Sequence, residues 1–235
     1  MEESNKDFFN RWAETYSTHL PFFPEFQKLV KRISEEVVCN VKETESHVLD
    51  VGIGTGVIPT LIHQKNPNIN FWGVDFSESM LQKVPKNPFQ NIKLYACDLD
   101  EMPFNESQFE IVYSNFTLHH KEDKIKTLSK IYKFLKPNGI FILGEVVVDV
   151  PHYSPKFLAH VLERWGYTAL HALKYSGQDA VKIELEVMRK IYARDGEFLE
   201  THEEWKKCLD KSGFKLLKHE IIDEKLGYHI FVCDK

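Results

Sequence analysis

Val48-Leu49-Asp50-Val51-Gly52-Ile53-Gly54-Thr55-Gly56 constrains the fold more than any other stretch of the chain, because an apolar β-type run carrying an acid opens there into three glycines at alternate positions. Such a run reads as a strand, a tight loop and the start of a helix. Glycine is required where the backbone turns through dihedrals closed to other residues, and where a ligand approaches the main chain more closely than a Cβ permits. The loop therefore reads as a nucleotide-cofactor loop. A dinucleotide loop has the form Gly-x-Gly-x-x-Gly, whose third glycine would fall at a position that is Val57 here. The spacing in this chain is Asp-x-Gly-x-Gly-x-Gly.

Two helices are expected ahead of the loop, one from the periodicity of Phe8, Phe9, Trp12, Ala13 and Tyr16 and one, after Pro21 and Pro24, from Phe26, Leu29, Val30, Ile33 and Val37. Beyond the loop, Val57 to Gln64 reads as a helix and Ile69 to Val74 as a second strand ending at Asp75. That acid follows the loop by about 20 residues, the distance at which nucleotide-binding folds bring a carboxylate to ribose hydroxyls. Ile92 to Leu99 contains a third strand with Asp98 at its end. In a parallel sheet Asp50, Asp75 and Asp98 would share the edge where ligands bind. A fourth strand, Phe109 to Ser114, runs into Asn115-Phe116-Thr117-Leu118-His119-His120; a helix from Lys124 to Leu135 and a buried fifth strand from Gly139 to Val148 follow. Strand and helix alternate strictly to this point, which implies a parallel sheet covered on both faces.

From Pro151 to about His202 a helical insertion interrupts the pattern, with His152, Tyr153, His160, His171 and Tyr175 available to line a cavity. A last helix from Trp205 to Ser212 precedes two strands, Phe214 to Ile222 and Leu226 to Cys233, joined as a hairpin. The expected architecture is α/β: a seven-stranded, mostly parallel sheet with helices on both faces, an antiparallel C-terminal hairpin strand and a helical insertion after the fifth strand. Its parts are N-terminal helices over the pocket at 1–40, a cofactor-binding core at 41–150, the insertion as substrate lid at 151–202, and the closing helix and hairpin at 203–235.

Composition narrows the function. A net charge of −5 leaves no basic excess for phosphate contacts, so a nucleic-acid partner is not expected and a small-molecule substrate is favoured. The acidic, polar start and the lack of a run of about 20 apolar residues imply a cytoplasmic protein with no membrane association. Four scattered cysteines without Cys-x-x-Cys spacing signal neither zinc nor a redox pair, and no metal is expected.

The glycine loop and the acid-terminated strands resemble the first motifs of the class I S-adenosylmethionine-dependent methyltransferases. That resemblance runs from about Phe9 to the C-terminus and implies S-adenosyl-L-methionine as cofactor, held by Asp50, Gly52, Gly54, Gly56, Asp75, Phe76, Asp98, Leu99 and Asn115, with Asp98 and the Leu99 backbone on the adenine. Asn115 is followed by Phe116 rather than by Pro-Pro, which removes the nucleobase-amine enzymes, and Leu118-His119-His120 looks like the small-molecule group that includes quinone-ring C-methyltransferases and many O-methyltransferases. His119 or His120 is placed as a base titrating near neutrality, and the first helix is similar to a segment that folds over the cofactor with its tyrosine, here Tyr16, toward the ligand. A small-molecule acceptor and a monomer or homodimer are expected. The alternatives are an enzyme like carboxy-S-adenosylmethionine synthase, with Arg189 as the cation for the added carboxylate, a non-catalytic cofactor-binding protein, and an NAD-dependent oxidoreductase.

Overall fold

The computed structural model describes residues 4–42, 46–87, 89 and 92–235; Met1-Glu2-Glu3, part of the polar start, lies outside them. Helices α1 (Asn5–His19) and α2 (Pro24–Asn40) lead into β1 (His47–Val51), α3 (Val57–Lys65), β2 (Asn70–Asp75), α4 (Glu78–Leu81), β3 (Ile92–Ala96) and β4 (Phe109–Asn115). Then come α5 (Lys124–Phe134), β5 (Leu135–Val146), α6 (Pro155–Ser176), α7 (Gln178–Ala193), α8 (His202–Lys211), β6 (Lys215–Asp223) and β7 (Tyr228–Asp234).

The seven strands lie in the order β3-β2-β1-β4-β5-β7-β6. The first five pair in parallel, whereas β7 runs antiparallel between β5 and β6. This is the expected sheet, hairpin included. Because β1 sits between β2 and β4, the strand order reverses there, and the carboxyl ends at such a reversal leave a crevice for a ligand. Alternating residues of each inner strand feed two cores. On one face Val48, Phe71, Ile111 and Ile142 meet Leu29, Ile33 and Val37 of α2 and Ile62 of α3. On the other, Leu49, Val112, Phe141 and Leu143 meet Leu128 and Ile131 of α5 and Trp205 of α8.

Strict alternation of strand and helix fails on one side of the sheet. Between β2 and β3 the helix α4 lasts a single turn, and between β3 and β4 there is only a 3-10 turn, Leu99–Glu101. Pro85 and Pro103 lie in those connections, and proline removes the N–H and the space that further helical turns need. The fifth strand also begins earlier than its apolar run. Leu135 pairs with Phe109, and the register then shifts so that Ile140 pairs with Ile111. The residues between form a bulge in which Asn138 takes φ +61°. Among the described residues no helix is long and apolar enough to cross a membrane.

Phe141 is fully buried at the centre of the sheet. Phe141→Ala should cost about 3–5 kcal/mol, read as a lower urea midpoint with an unchanged slope. An unchanged midpoint would contradict the packing described.

Candidate active site

The glycine loop is fastened to the end of β2. The N–H groups of Gly52 and Ile53 both donate to the Val74 carbonyl at 2.9 Å, and the Gly54 N–H donates to Asp75 Oδ2 at 2.9 Å. The other Asp75 oxygen accepts from the Ser77 N–H at 2.9 Å. Two of the glycines are required for different reasons. Gly52 holds φ +83°, and a Cβ there would stand 2.0 Å from Thr117 Oγ1, so the loop can close on the segment after β4 only without a side chain. Gly54, at φ +54°, has nothing within 4 Å of its missing Cβ. Its open side is the cavity. Burial pushes the Asp75 carboxyl up to about 6, against the backbone N–H groups of Ser77 and Gly54, which pull it down.

A cavity of about 520 Å³ opens over these strand ends. Of the residues expected at a site, Tyr16, Gly52, Gly54, Asp75, Phe76, Asp98, Leu99, Asn115, His119 and His120 line it. Asp50 and Gly56 are not in its wall. Asp50 lies inside β1 opposite Gly73 and Tyr113, and burial raises its carboxyl well above the ordinary carboxylate range. Gly56 stands at the entry to α3 with φ +76°. Asp98 reaches the cavity rim with one oxygen engaged, accepting from the Asp100 N–H at 2.8 Å and the Lys121 ammonium at 2.9 Å.

After β4 the chain is held by a carboxylate that periodicity alone does not single out. Glu145, wholly buried in β5, accepts at Oε1 from the N–H groups of Thr117, Leu118 and His119 at 3.2, 2.8 and 3.3 Å. Its Oε2 is 2.6 Å from His119 Nδ1, and the opposite ring nitrogen, Nε2, is 3.3 Å from Glu197 Oε2. Burial disfavours the charged ring, but Glu145 and then Glu197 outweigh it and raise His119 to about 9. Glu145 and Glu197 thus favour the charged ring of His119, which moves it above the near-neutral titration expected of it. His120 is held below its ordinary value, chiefly by burial. Its Nδ1 lies 3.2 Å from the Gly196 carbonyl and 3.4 Å from Glu197 Oε2.

Helix α1 closes one side. Phe9 packs edge-on against Phe76 at 5.2 Å and His120 at 4.9 Å, and Asn10 Oδ1 accepts from the Ser77 hydroxyl at 2.7 Å. Tyr16 lines the cavity with its phenol pKa raised, by burial first and then by Asp75. Helices α6 and α7 contribute Arg164, Trp165, Thr168, Glu184, Val187 and Ile191. The histidines and tyrosines expected from the insertion are elsewhere: Tyr153 and Tyr175 are exposed, His152 is bonded to the Leu199 carbonyl at 2.9 Å, and His160 and His171 are outside the lining. Arg189, expected as the cation of the carboxylated-cofactor alternative, pairs at the surface with Asp195 at 3.0 Å. Arg164 is the arginine in the wall. A lone glutamate in the apolar run of β5 was the legible sign of Glu145, since a buried charge needs a partner; Glu197 and Arg164 gave no such sign.

A sheet of this order, with a glycine loop pinned by an acid at the end of β2, defines an α/β protein of methyltransferase topology. The family model described as a methyltransferase domain matches residues 42–213, and the chain belongs to that family. Over 93 residues it is 37% identical to the ubiquinone/menaquinone biosynthesis C-methyltransferase UbiE of Desulfotalea psychrophila, covering 39% of this chain and 38% of that protein. Over 141 residues it is 29% identical to the malonyl-[acyl-carrier protein] O-methyltransferase of Priestia megaterium, covering 59% and 50%. The chain thus spans half or less of the length of these curated relatives. A methyltransferase from Aquifex aeolicus, described as dependent on S-adenosylmethionine, superposes with a TM-score of 0.61 at 13% identity over 99% of both chains. The cyclase SpnF superposes with a TM-score of 0.63 at 15% identity over 87% of this chain and 80% of its own. At such identities the two structures share the fold alone.

Because the folded-state value of His119 lies above the ordinary 6.5, its pairing stabilises the protein fully below about 6.5 and ceases to do so as pH rises through about 9. Imidazole NMR should show one ring titrating near 9 that shifts downward in Glu145→Gln. Titration of every ring below 7 would contradict the clamp.

Proposed function

We propose that the chain is a cytoplasmic S-adenosylmethionine-dependent methyltransferase acting on a small-molecule acceptor. The observation that carries this is the cradle at the strand reversal, where Gly54 leaves open space and the Asp75 carboxylate is pinned beside it by two backbone N–H groups. One Asp75 oxygen accepts from the Gly54 N–H of the loop and the other from the Ser77 N–H, and each retains capacity for a further bond, which suits two vicinal ribose hydroxyls. Phe76, Asp98, Leu99 and Asn115 stand around the same wall and are assigned with Gly52 and Gly54 to the cofactor. When bound, the cofactor supplies an electrophilic methyl group on a sulfonium.

The protein's own part is to align the acceptor and keep water out. Orientation can lower such a barrier by roughly 7–11 kcal/mol. Apolar groups of α1, α6 and α7 (Phe9, Trp12, Trp165, Val187 and Ile191) would wall the acceptor, with few polar groups to orient it. Among these is Arg164, 3% exposed, with Nη1 buried and without a hydrogen-bond partner. Its guanidinium stands over the rings of Trp165 at 4.6 Å and Tyr228 at 5.2 Å. A buried cation of this kind favours an acceptor bearing an acidic or carbonyl oxygen. It also keeps the carboxylated-cofactor alternative open, now through Arg164 instead of Arg189. His119, as a fixed imidazolium, fits a role in holding the acceptor end of the site, and Tyr16 and His120 are the remaining candidates to contact the reacting group.

Calorimetry with S-adenosylmethionine tests the cradle. Asp75→Asn should weaken binding by about 1.5–3 kcal/mol, roughly ten- to hundredfold, with the fold intact by circular dichroism; unchanged affinity would contradict the ribose assignment. Arg164→Leu should leave that affinity unchanged while abolishing formation of S-adenosylhomocysteine from an acidic acceptor found in a metabolite screen. Loss of carboxy-S-adenosylmethionine binding in Arg164→Leu, with S-adenosylmethionine affinity unchanged, would favour the carboxylated-cofactor alternative.

A further inference from the structure

No metal is expected from the sequence, where the reading rests on cysteine spacing alone. The fold nevertheless brings together three donors of another kind, His119, His120 and Glu197, whose ligand atoms all lie within 4.8 Å of one another. Glu197 Oε2 is 3.3 Å from His119 Nε2 and 3.4 Å from His120 Nδ1. Ligands at about 2.0–2.2 Å from a tetrahedral ion stand about 3.3–3.6 Å apart. The two separations to Glu197 fall in that range, and the third pair of donors lies within 4.8 Å.

Two further observations distinguish the cluster from a chance ion pair. The first lies behind His119. Metal-bound histidines characteristically donate their second ring N–H to a carboxylate, which fixes the tautomer and aims the other nitrogen at the metal. Here His119 Nδ1 is 2.6 Å from Glu145 Oε2, and the opposite oxygen of Glu145 is itself fixed by three backbone N–H groups. The strand that carries Glu145 and the turn that carries His119 and His120 are thus one rigid unit. Glu197 is attached to it, since the adjacent Phe198 N–H donates to the His119 carbonyl at 2.7 Å. The second observation is charge. Two carboxylates, 0% and 3% exposed, converge on one imidazole, an arrangement short of positive charge that a divalent ion would complete.

We propose that His119 Nε2, His120 Nδ1 and Glu197 form a binding site for a divalent transition-metal ion whose remaining coordination positions face the cavity. All three residues line that cavity. Two imidazoles and one carboxylate, with no thiolate, suit zinc or iron(II) in sites that keep positions open for a ligand. An oxygen or sulfur atom of a cavity ligand would occupy an open position, where a metal polarises and orients it. His120 now stands 3.2 Å from the Gly196 carbonyl through the same Nδ1; binding would replace that contact with the metal and would release the Nε2 proton that His119 carries in the metal-free protein. The site is independent of the methyl donor, whose cradle at Gly54 and Asp75 uses other residues.

The full chain, stripped of metal with a chelator, would be titrated with Co²⁺ as a spectroscopic probe and then with Zn²⁺ and, anaerobically, Fe²⁺. One equivalent of Co²⁺ should bind and give the visible ligand-field bands of nitrogen and oxygen coordination, and either native ion should displace it one for one. Glu197→Gln and His120→Ala should each weaken Co²⁺ binding at least tenfold, and Glu145→Gln should do so by about 10–100-fold without removing a ligand. Glu197→Gln is nearly isosteric, so it keeps the test valid if a histidine variant fails to fold. His202, next to Asp149 at 2.8 Å, and the His219–His229 pair at 2.9 Å form a separate histidine group near the surface, and His202→Ala should leave the titration unchanged. Substoichiometric uptake, or uptake equal to wild type in Glu197→Gln and His120→Ala, would overturn the assignment. Because S-adenosylmethionine affinity is measured separately, failure of the metal site and failure of the cofactor cradle are distinguishable.

Discussion

The bond from the Gly54 N–H to the Asp75 carboxylate is the interaction on which the cavity depends. It joins the loop after β1 to the end of β2, and the second carboxylate oxygen carries the restraint on to Ser77 at the start of α4. Ser77 in turn donates to Asn10 of α1, so that one buried acid connects the sheet edge to the helix that closes the cavity. The left-handed dihedrals of Gly52 and Gly54 make the arrangement possible, because a side chain at either position is strained and at Gly52 would also collide with Thr117.

A second buried carboxylate does for the segment after β4 what Asp75 does for the loop. Glu145 gathers three successive N–H groups of the segment after β4, which has just passed through Phe116 at φ +51°. A phenylalanine in the left-handed region is costly, by about 1–3 kcal/mol, and persists only where neighbouring bonds over-determine it. Those bonds are the Glu145 contacts and the Phe116 N–H to the Gly144 carbonyl at 2.9 Å. The strained turn presents Asn115 and His119 to the cavity. It also explains why His119 behaves as part of a fixed ionic framework, with carboxylates on both ring nitrogens.

The strand and helix pattern and the glycine loop were legible because each is a local property. Continuous burial over Val48 to Val51 follows from the largely apolar run of an inner strand, and the positive φ of Gly52 and Gly54 follows from the absence of Cβ. Asp75 was legible through its distance along the chain from the loop. The failures share a different cause. Asp50 is an acid near a strand end like Asp75, but only the assembled sheet shows that it lies beneath the wall instead of in it. The insertion offered many aromatic and histidine side chains of equal merit, and helix orientation alone selected Arg164 and Trp165 over His160, His171 and Tyr175. Glu197 follows α7 in an irregular segment with no periodicity to read, and its meeting with His119 and His120 is set by the bridge between Val147 and Glu200 and by the Phe198 bond.

The family membership and the geometry of the loop converge on one central claim, that Asp75 holds the ribose of an adenosyl cofactor beside Gly54. A crystal structure of the complex with S-adenosylhomocysteine tests it most directly. The account predicts both ribose hydroxyl oxygens within hydrogen-bond distance of the Asp75 carboxylate, with the bonds from Gly54 and Ser77 retained. Cofactor bound with its ribose on other residues, Asp75 still engaged only by the backbone, would contradict it.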